Sequence, residues 1–172
     1  MKHIYVSPHS DDVALSCGGQ IILGAARGND VLVLNIFRSD AEDAHSAPDG
    51  ATNVLFDSIN SDRTREDKAA WDSIGIEAQY ANLPEALLRR KFPFSILPGR
   101  RDDGIANEII EVLLSYIKLY PDALLYFPAG FGNHVDHLAC TKAAFRLLDD
   151  NIVEKIMLYE DTPYSWLKFI RN

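Results

Sequence analysis

The 172 residues are 47% hydrophobic and 24% charged, the balance of an ordinary globular chain that is long enough to bury a core of its own. A formal net charge of -8 argues against a general attraction to nucleic-acid backbones or anionic membranes. Two cysteines, Cys17 and Cys140, are too few for a disulfide framework or a Cys-rich zinc site, and read as small buried hydrophobes.

Only Met1, Lys2 and His3 precede a strand-like run, Ile4-Tyr5-Val6, which soon meets Asp11 and Asp12, so the start does not read as a secretory leader. A reducing cytoplasm is the expected compartment. No apolar run approaches the roughly 20 residues of a membrane-spanning helix. A helix is predicted from about Leu15 to Ala26, ended by Arg27-Gly28-Asn29-Asp30, and the next strand, Val31 to Phe37, is almost continuously apolar, as in a parallel sheet covered on both faces. A polar stretch with Pro48, Asp49 and Gly50 follows. Ser61 then opens a helix that carries Arg63, Glu66, Ala69 and Ala70 and stops at Gly75.

A short strand near Ala78 to Leu83 ends at Pro84, and Phe92 to Gly104, with two prolines, reads as a loop at a site edge. Ile105, Ile109, Ile110, Leu113 and Ile117 restore helical periodicity. Ala123 to Phe127 is a buried-looking strand, Val135 to Leu148 a helix, and Val153 to Tyr159 the last strand. The βαβαβαβαβ order predicts an α/β fold: a Rossmann-like, doubly wound, mainly parallel sheet with helices on both faces. Such sheets bind ligands beyond the carboxyl ends of their strands.

Two polar clusters fall there. The first strand runs into Ser7-Pro8-His9-Ser10-Asp11-Asp12, and the fourth runs through Pro128 and two glycines into Asn133-His134-Val135-Asp136-His137. Imidazole with carboxylate suits zinc or another first-row divalent ion, and a catalytic zinc keeps three protein ligands and an open position for water. His9 and Asp12 are three positions apart, as are His134 and His137, so each pair can face one ion. Six candidate groups exceed what one metal needs, and a metal-dependent hydrolase also wants a base and an acid. Taken singly, adjacent aspartates after a strand are often only a helix cap, and a lone histidine is more often packed or exposed than ligating. The joint placement at two strand ends carries the functional reading. His3 and His45 read as bystanders.

These residues resemble the PIG-L/LmbE-type metal-dependent N-deacetylases. The resemblance rests on Pro8-His9-Ser10-Asp11-Asp12 with Gly18-Gly19 and on His134-Val135-Asp136-His137. Arg63, Glu66, Ala69, Ala70 and Ile74-Gly75 match between them, and Tyr159-Glu160-Asp161 with Pro163-Tyr164 resembles one branch. The resemblance implies that His9, Asp12 and His137 ligate a divalent metal, Zn2+ or alternatively Fe2+ or another ion. Asp11 is then the general base and His134 the protonated partner that stabilises the oxyanion or donates to the leaving amine. Asp136 orients a histidine, and Arg63 binds substrate. Ser10 stands where the family usually has Pro, and Glu85 where Asp is expected.

What the resemblance implies as activity is hydrolysis of the N-acetyl group of an N-acetylglucosamine-containing small molecule or glycoconjugate. It implies one deacetylase-like domain over 1–172 that stops short of a C-terminal portion found in relatives, and an amino-sugar substrate as partner, with homo-oligomerisation left open. Two alternatives remain. One is a metal hydrolase of another amide or of a phosphoester; the other is a non-catalytic metal-binding interaction protein on the same fold. Arg63 has its own alternative, an exposed helix residue paired with Asp67 at i,i+4. Phe92, Phe94 and Phe131 read as packing residues before sugar-stacking ones.

Overall fold

A computed structural model describes residues 1–38, 63–89, 91, 93 and 104–166. The elements in chain order are β1 (Lys2–Ser7), α1 (Asp12–Ala26), β2 (Asp30–Arg38), α2 (residues 63–73), β3 (Glu77–Pro84), α3 (Ile105–Leu119), β4 (Leu124–Pro128), α4 (Val135–Asp149) and β5 (Met157–Tyr159). A 3-10 turn follows at Tyr164–Trp166. The segment around Pro48, Asp49 and Gly50, His45, the Ser61 start of α2, Phe92, Phe94 and most of the 92–104 loop lie outside the described residues.

The five strands make one parallel sheet in the order β3-β2-β1-β4-β5. The chain winds outward from β1 to β3 and then crosses back to β4. That reversal leaves β1 and β4 adjacent with their carboxyl ends opening on one crevice.

Alternation along the strands fills both faces. Ile4, Val6, Leu32, Leu34, Ile36, Leu125 and Phe127 point into one layer, closed by Ile105, Ile109 and Leu113 of α3 and Ala139, Cys140, Ala143 and Leu147 of α4. Tyr5, Val31, Val33 and Tyr126 point into the other, with Val13, Cys17 and Ile21 of α1 and Trp71 of α2. Cys17 and Cys140 therefore lie on opposite sides of the sheet, and both are free and buried. Burial pushes the Cys17 thiol up to about 12.

Asn35 is the one polar residue buried within β2, on the α1/α2 face, and its Nδ2 donates to Asp67 at 3.0 Å. Asp67 also accepts from Trp71 Nε1 at 2.8 Å and from Tyr80 at 2.8 Å. Its carboxylate is thus turned into the protein to tie α2 to β2 and β3, away from the surface i,i+4 pairing with Arg63.

Val153 to Ile156 was expected to be strand, yet β5 begins only at Met157. Val153 donates its N–H to Leu147 O at 3.2 Å, in the turn that ends α4, while its side chain and that of Ile156 pack on the core. Hydrophobicity there serves packing without a ladder. Among the described residues, no helix is long and apolar enough to cross a membrane.

At the opposite end of the sheet Lys2 ties three strands together, with Nζ 2.9 Å from both Asp30 and Glu77. Burial opposes its charge, but the bonds to Asp30 and Glu77 outweigh it and raise its pKa above 10.5, while the bond from Lys2 lowers that of Glu77 below 4.5. The stabilisation is therefore fully present between those unperturbed values. It fades as pH rises through the Lys2 value or falls through the Glu77 value. Because both carboxylates are exposed, Lys2→Met is expected to cost only about 0.5–1 kcal/mol in urea denaturation at pH 7, and less in high salt.

Candidate active site

At the end of β1 the chain turns sharply. Ser7 accepts the Val13 N–H at 3.2 Å and donates to His9 O at 2.6 Å, which fixes the turn entering α1. The Asp12 carboxylate folds back to accept the His9 N–H at 2.8 Å. Asp11 occupies the cap position of α1 without making a side-chain cap, so its exposed carboxylate is left to the crevice.

From β4 the chain runs through Gly130 and Gly132 into α4, which His134 caps: its Nδ1 accepts the Asp136 N–H at 3.3 Å. This helix start carries Asp136 and His137 into the buried interior. The two clusters meet across the β1/β4 junction. Asp12 Oδ2 lies 3.1 Å from His9 Nδ1 and 3.1 Å from His137 Nε2, and one ring nitrogen from each of His9, His134 and His137 lies within 4.8 Å of the others.

Each of the two histidines beside Asp12 has its far nitrogen held by a carboxylate. His9 Nε2 is 3.1 Å from Asp136, and His137 Nδ1 is 2.6 Å from Asp161. Those bonds place the ring protons away from Asp12 and leave His9 Nδ1 and His137 Nε2 directed toward it. His137 Nε2 is buried with no hydrogen-bond partner although Asp12 is 3.1 Å away. A buried nitrogen facing a carboxylate without a bond between them fits a cation bound to both, so the donor set suits a divalent metal.

Electrostatics follow this geometry. Burial opposes the His9 charge, but the Asp12 and Asp136 carboxylates override it and lift His9 to about 10; Asp12 and Asp161 raise His137 in the same way. Asp12 is driven well below the usual carboxylate range against its own burial, and Asp136 falls to about 2. Burial and the neighbouring histidines push His134 down to about 4. A second proton on His134 would sit on Nδ1 and oppose the Asp136 N–H, so the cap holds the ring neutral with its proton on Nε2. Asp11 is raised by burial and by the adjacent Asp12.

The crevice is a cavity of about 250 Å³ lined by His9, Asp11, Asp12, Arg63, Glu85 and Tyr164 among others, with His134 and Asp136. The structure thus brings Arg63 to the same cavity as the strand-end residues. His3 lies at the far end of β1 against Tyr126, and Phe131 is 42% exposed and does not line the cavity.

Two residues escape sequence reasoning. Asp161, after β5, holds His137 and also accepts the Phe131 N–H at 3.0 Å. Arg89, in the turn after β3, reaches Asp136 at 2.7 Å and also donates to Pro84 O. Asp136 additionally accepts the Ala86 N–H at 3.0 Å, so one buried carboxylate joins the β3 turn to His9.

Gly132 has φ 89°, and a Cβ there would sit 2.5 Å from Tyr164 Cβ. Gly132→Ala is expected to cost about 1–3 kcal/mol from the left-handed backbone and more from the clash, read as a lower midpoint in thermal unfolding. Gly28→Ala, with φ 86° and open space around the added carbon, carries the backbone cost alone.

Residues 4–148 match the family model described as PIG-L: GlcNAc-PI de-N-acetylase. The chain is 26% identical over 186 residues to a 2'-N-acetylparomamine deacetylase of Niallia circulans, covering 94% of this chain and 66% of that protein. With the 2'-N-acetylparomamine deacetylase of Streptomyces fradiae it shares 28% identity over 167 residues, 95% of this chain and 58% of that one. The chain therefore spans about three fifths to two thirds of the length of these relatives. The crystal structure of the zinc-inhibited form of teicoplanin deacetylase superposes with a TM-score of 0.78 at 24% identity, over 97% of this chain and 70% of that one. With the family's model matched across most of its length and the two strand-end motifs converging in one crevice, the chain belongs to the PIG-L family.

Proposed function

We propose that this chain is a metal-dependent N-deacetylase acting on an N-acetylglucosamine-type amino sugar, with zinc or a similar divalent ion held by His9, Asp12 and His137. The observation that carries the reading is the convergence of two carboxylate-anchored histidines on Asp12, with Asp11 and His134 on the same cavity. The two deacetylase relatives support the amino-sugar substrate. We leave His134 out of the ligand set, although one of its ring nitrogens lies within 4.8 Å of those of His9 and His137, because its Nδ1 accepts the Asp136 N–H. Two core layers on one sheet support a single domain over the described residues.

A divalent ion held by His9, Asp12 and His137 would supply an activated water and neutralise charge on the amide oxygen. Asp11 takes a proton from the attacking water as the new C–O bond forms. His134 Nε2–H donates a hydrogen bond to the amide oxygen as it becomes anionic. When the C–N bond breaks, Asp11 returns its proton to the departing nitrogen, giving a free amine and acetic acid, which releases its proton to solvent as acetate. Asp136 and Asp161 keep His9 and His137 in the required tautomers. Arg63 and Glu85 hold the sugar hydroxyls.

A panel of N-acetylated amino sugars, N-acetylated amino acids and generic phosphoesters, offered to the metal-loaded protein, tests the reading. Acetate release from the amino sugars alone is expected. Turnover confined to phosphoesters or to non-sugar amides would overturn the substrate class, and metal binding without turnover of any of them would favour a binding protein.

A further inference from the structure

Sheet order divides the crevice into two ends. Arg63 lies on the helix before β3 and Glu85 follows β3, so both enter from the β3 side, whereas Tyr164 follows β5 and enters from the other. His9, Asp11, Asp12 and His134 stand between, at the ends of β1 and β4. An amide reacting at the centre thus has a charged, hydroxyl-binding end on one side and an aromatic wall on the other.

That wall is fixed in place. The Tyr164 ring stands edge-on to His137, with centroids 5.2 Å apart at 82°, and lies 6.3 Å from His134. Tyr164 Cβ rests on Gly132, at 2.5 Å from where a side-chain carbon would be, so only glycine admits this approach. The turn that presents it is closed by Ser165 N–H to Asp161 O at 2.9 Å and Trp166 N–H to Pro163 O at 3.0 Å, and is tied to α1 by Thr162 N–H to Ser16 Oγ at 3.1 Å. Asp161 in the same turn holds His137. The ring therefore cannot retreat from a longer substrate without pulling on a proposed metal ligand.

We propose that Tyr164 sets the length of the acyl chain the site accepts, as the wall against which the acetyl methyl packs while the sugar faces Arg63 and Glu85. The inference rests on the deacetylase reading. It makes Tyr164 a specificity-determining residue acting through its ring, with no part in proton transfer. Where an aromatic ring closes on an acyl chain, one methylene changes kcat/KM by about 10–200-fold.

The test is kcat/KM for N-acetyl-, N-propionyl- and N-butyrylglucosamine, followed by the freed amine, in metal-loaded wild-type, Tyr164→Phe and Tyr164→Ala proteins. Wild type and Tyr164→Phe are expected to lose at least about tenfold per added methylene. Tyr164→Ala keeps the carbon that rests on Gly132 but removes the wall, and its acetyl-to-butyryl ratio is expected to fall at least about tenfold. Tyr164→Val gives the same shift should the alanine variant fail to fold. An acetyl-to-butyryl ratio unmoved in a folded variant that still hydrolyses the acetyl substrate overturns the inference alone. Wild-type protein that frees no amine from any of the three overturns the deacetylase reading, and the inference with it.

Discussion

Asp11→Asn is expected to lower kcat for acetate release by about 10²–10⁴-fold while leaving the fold and the bound metal in place. The amide keeps the shape and polarity of the carboxylate but cannot take a proton from water. Structure is spared because Asp11 is exposed and makes no side-chain cap on α1. Metal is spared because the groups facing His137 Nε2 and His9 Nδ1 belong to Asp12. Elemental analysis and circular dichroism alongside the kinetics separate the outcomes. A variant with full metal and unaltered kcat removes Asp11 as the base.

Asp136→Ala is expected to be the most damaging change to the structure. The carboxylate is fully buried and binds the Arg89 guanidinium, the Ala86 N–H and His9 Nε2. Its loss deprives the Arg89 guanidinium, whose side chain is 11% exposed, of its carboxylate and takes the acceptor from the N–H of buried Ala86. Removing one partner of such a pair costs about 3–5 kcal/mol. His9 also loses the bond that selects its tautomer, for which about 10–100-fold in metal affinity is the usual penalty. Urea denaturation of the metal-free protein measures the first effect and metal titration the second. A companion Arg89→Met in the Asp136→Ala background is expected to recover part of the stability, since it removes the orphaned charge, and none of the metal affinity. Equal recovery of both would mean that Asp136 acts on His9 only through general stability.

The features legible in the sequence are those with a local cause. β2 reads as a strand because a run from Val31 to Phe37 can be apolar but for Asn35 only when both faces are covered, and Leu32 and Val33 indeed enter opposite layers. The His9 and His134 clusters stand out because each follows a buried strand, and parallel strands bring such ends to one edge. Asp161 and Arg89 carry no such signal. Each stands beside other charged residues, Glu160 in one case and Arg90 and Lys91 in the other, and its role arises from partners far away in the chain, at His137 and Asp136. The Tyr164 contact with Gly132 is equally invisible, because it needs β4 and β5 to be neighbours before a missing side chain acquires a meaning. Asp67 misleads for the opposite reason: helical spacing suggests Arg63, whereas Trp71, Tyr80 and Asn35 offer three donors on the inner side.

The central claim is that His9, Asp12 and His137, without His134, hold the ion on which hydrolysis depends. Elemental analysis of wild-type, Asp12→Ala and His134→Ala proteins after equilibration with one equivalent of zinc or ferrous ion tests it most directly, with acetate release from N-acetylglucosamine derivatives assayed on the same samples. Near-stoichiometric metal is expected in wild type and in His134→Ala, little in Asp12→Ala, and acetate release in wild type only. Stoichiometric metal in Asp12→Ala, with metal lost from His134→Ala, would contradict it.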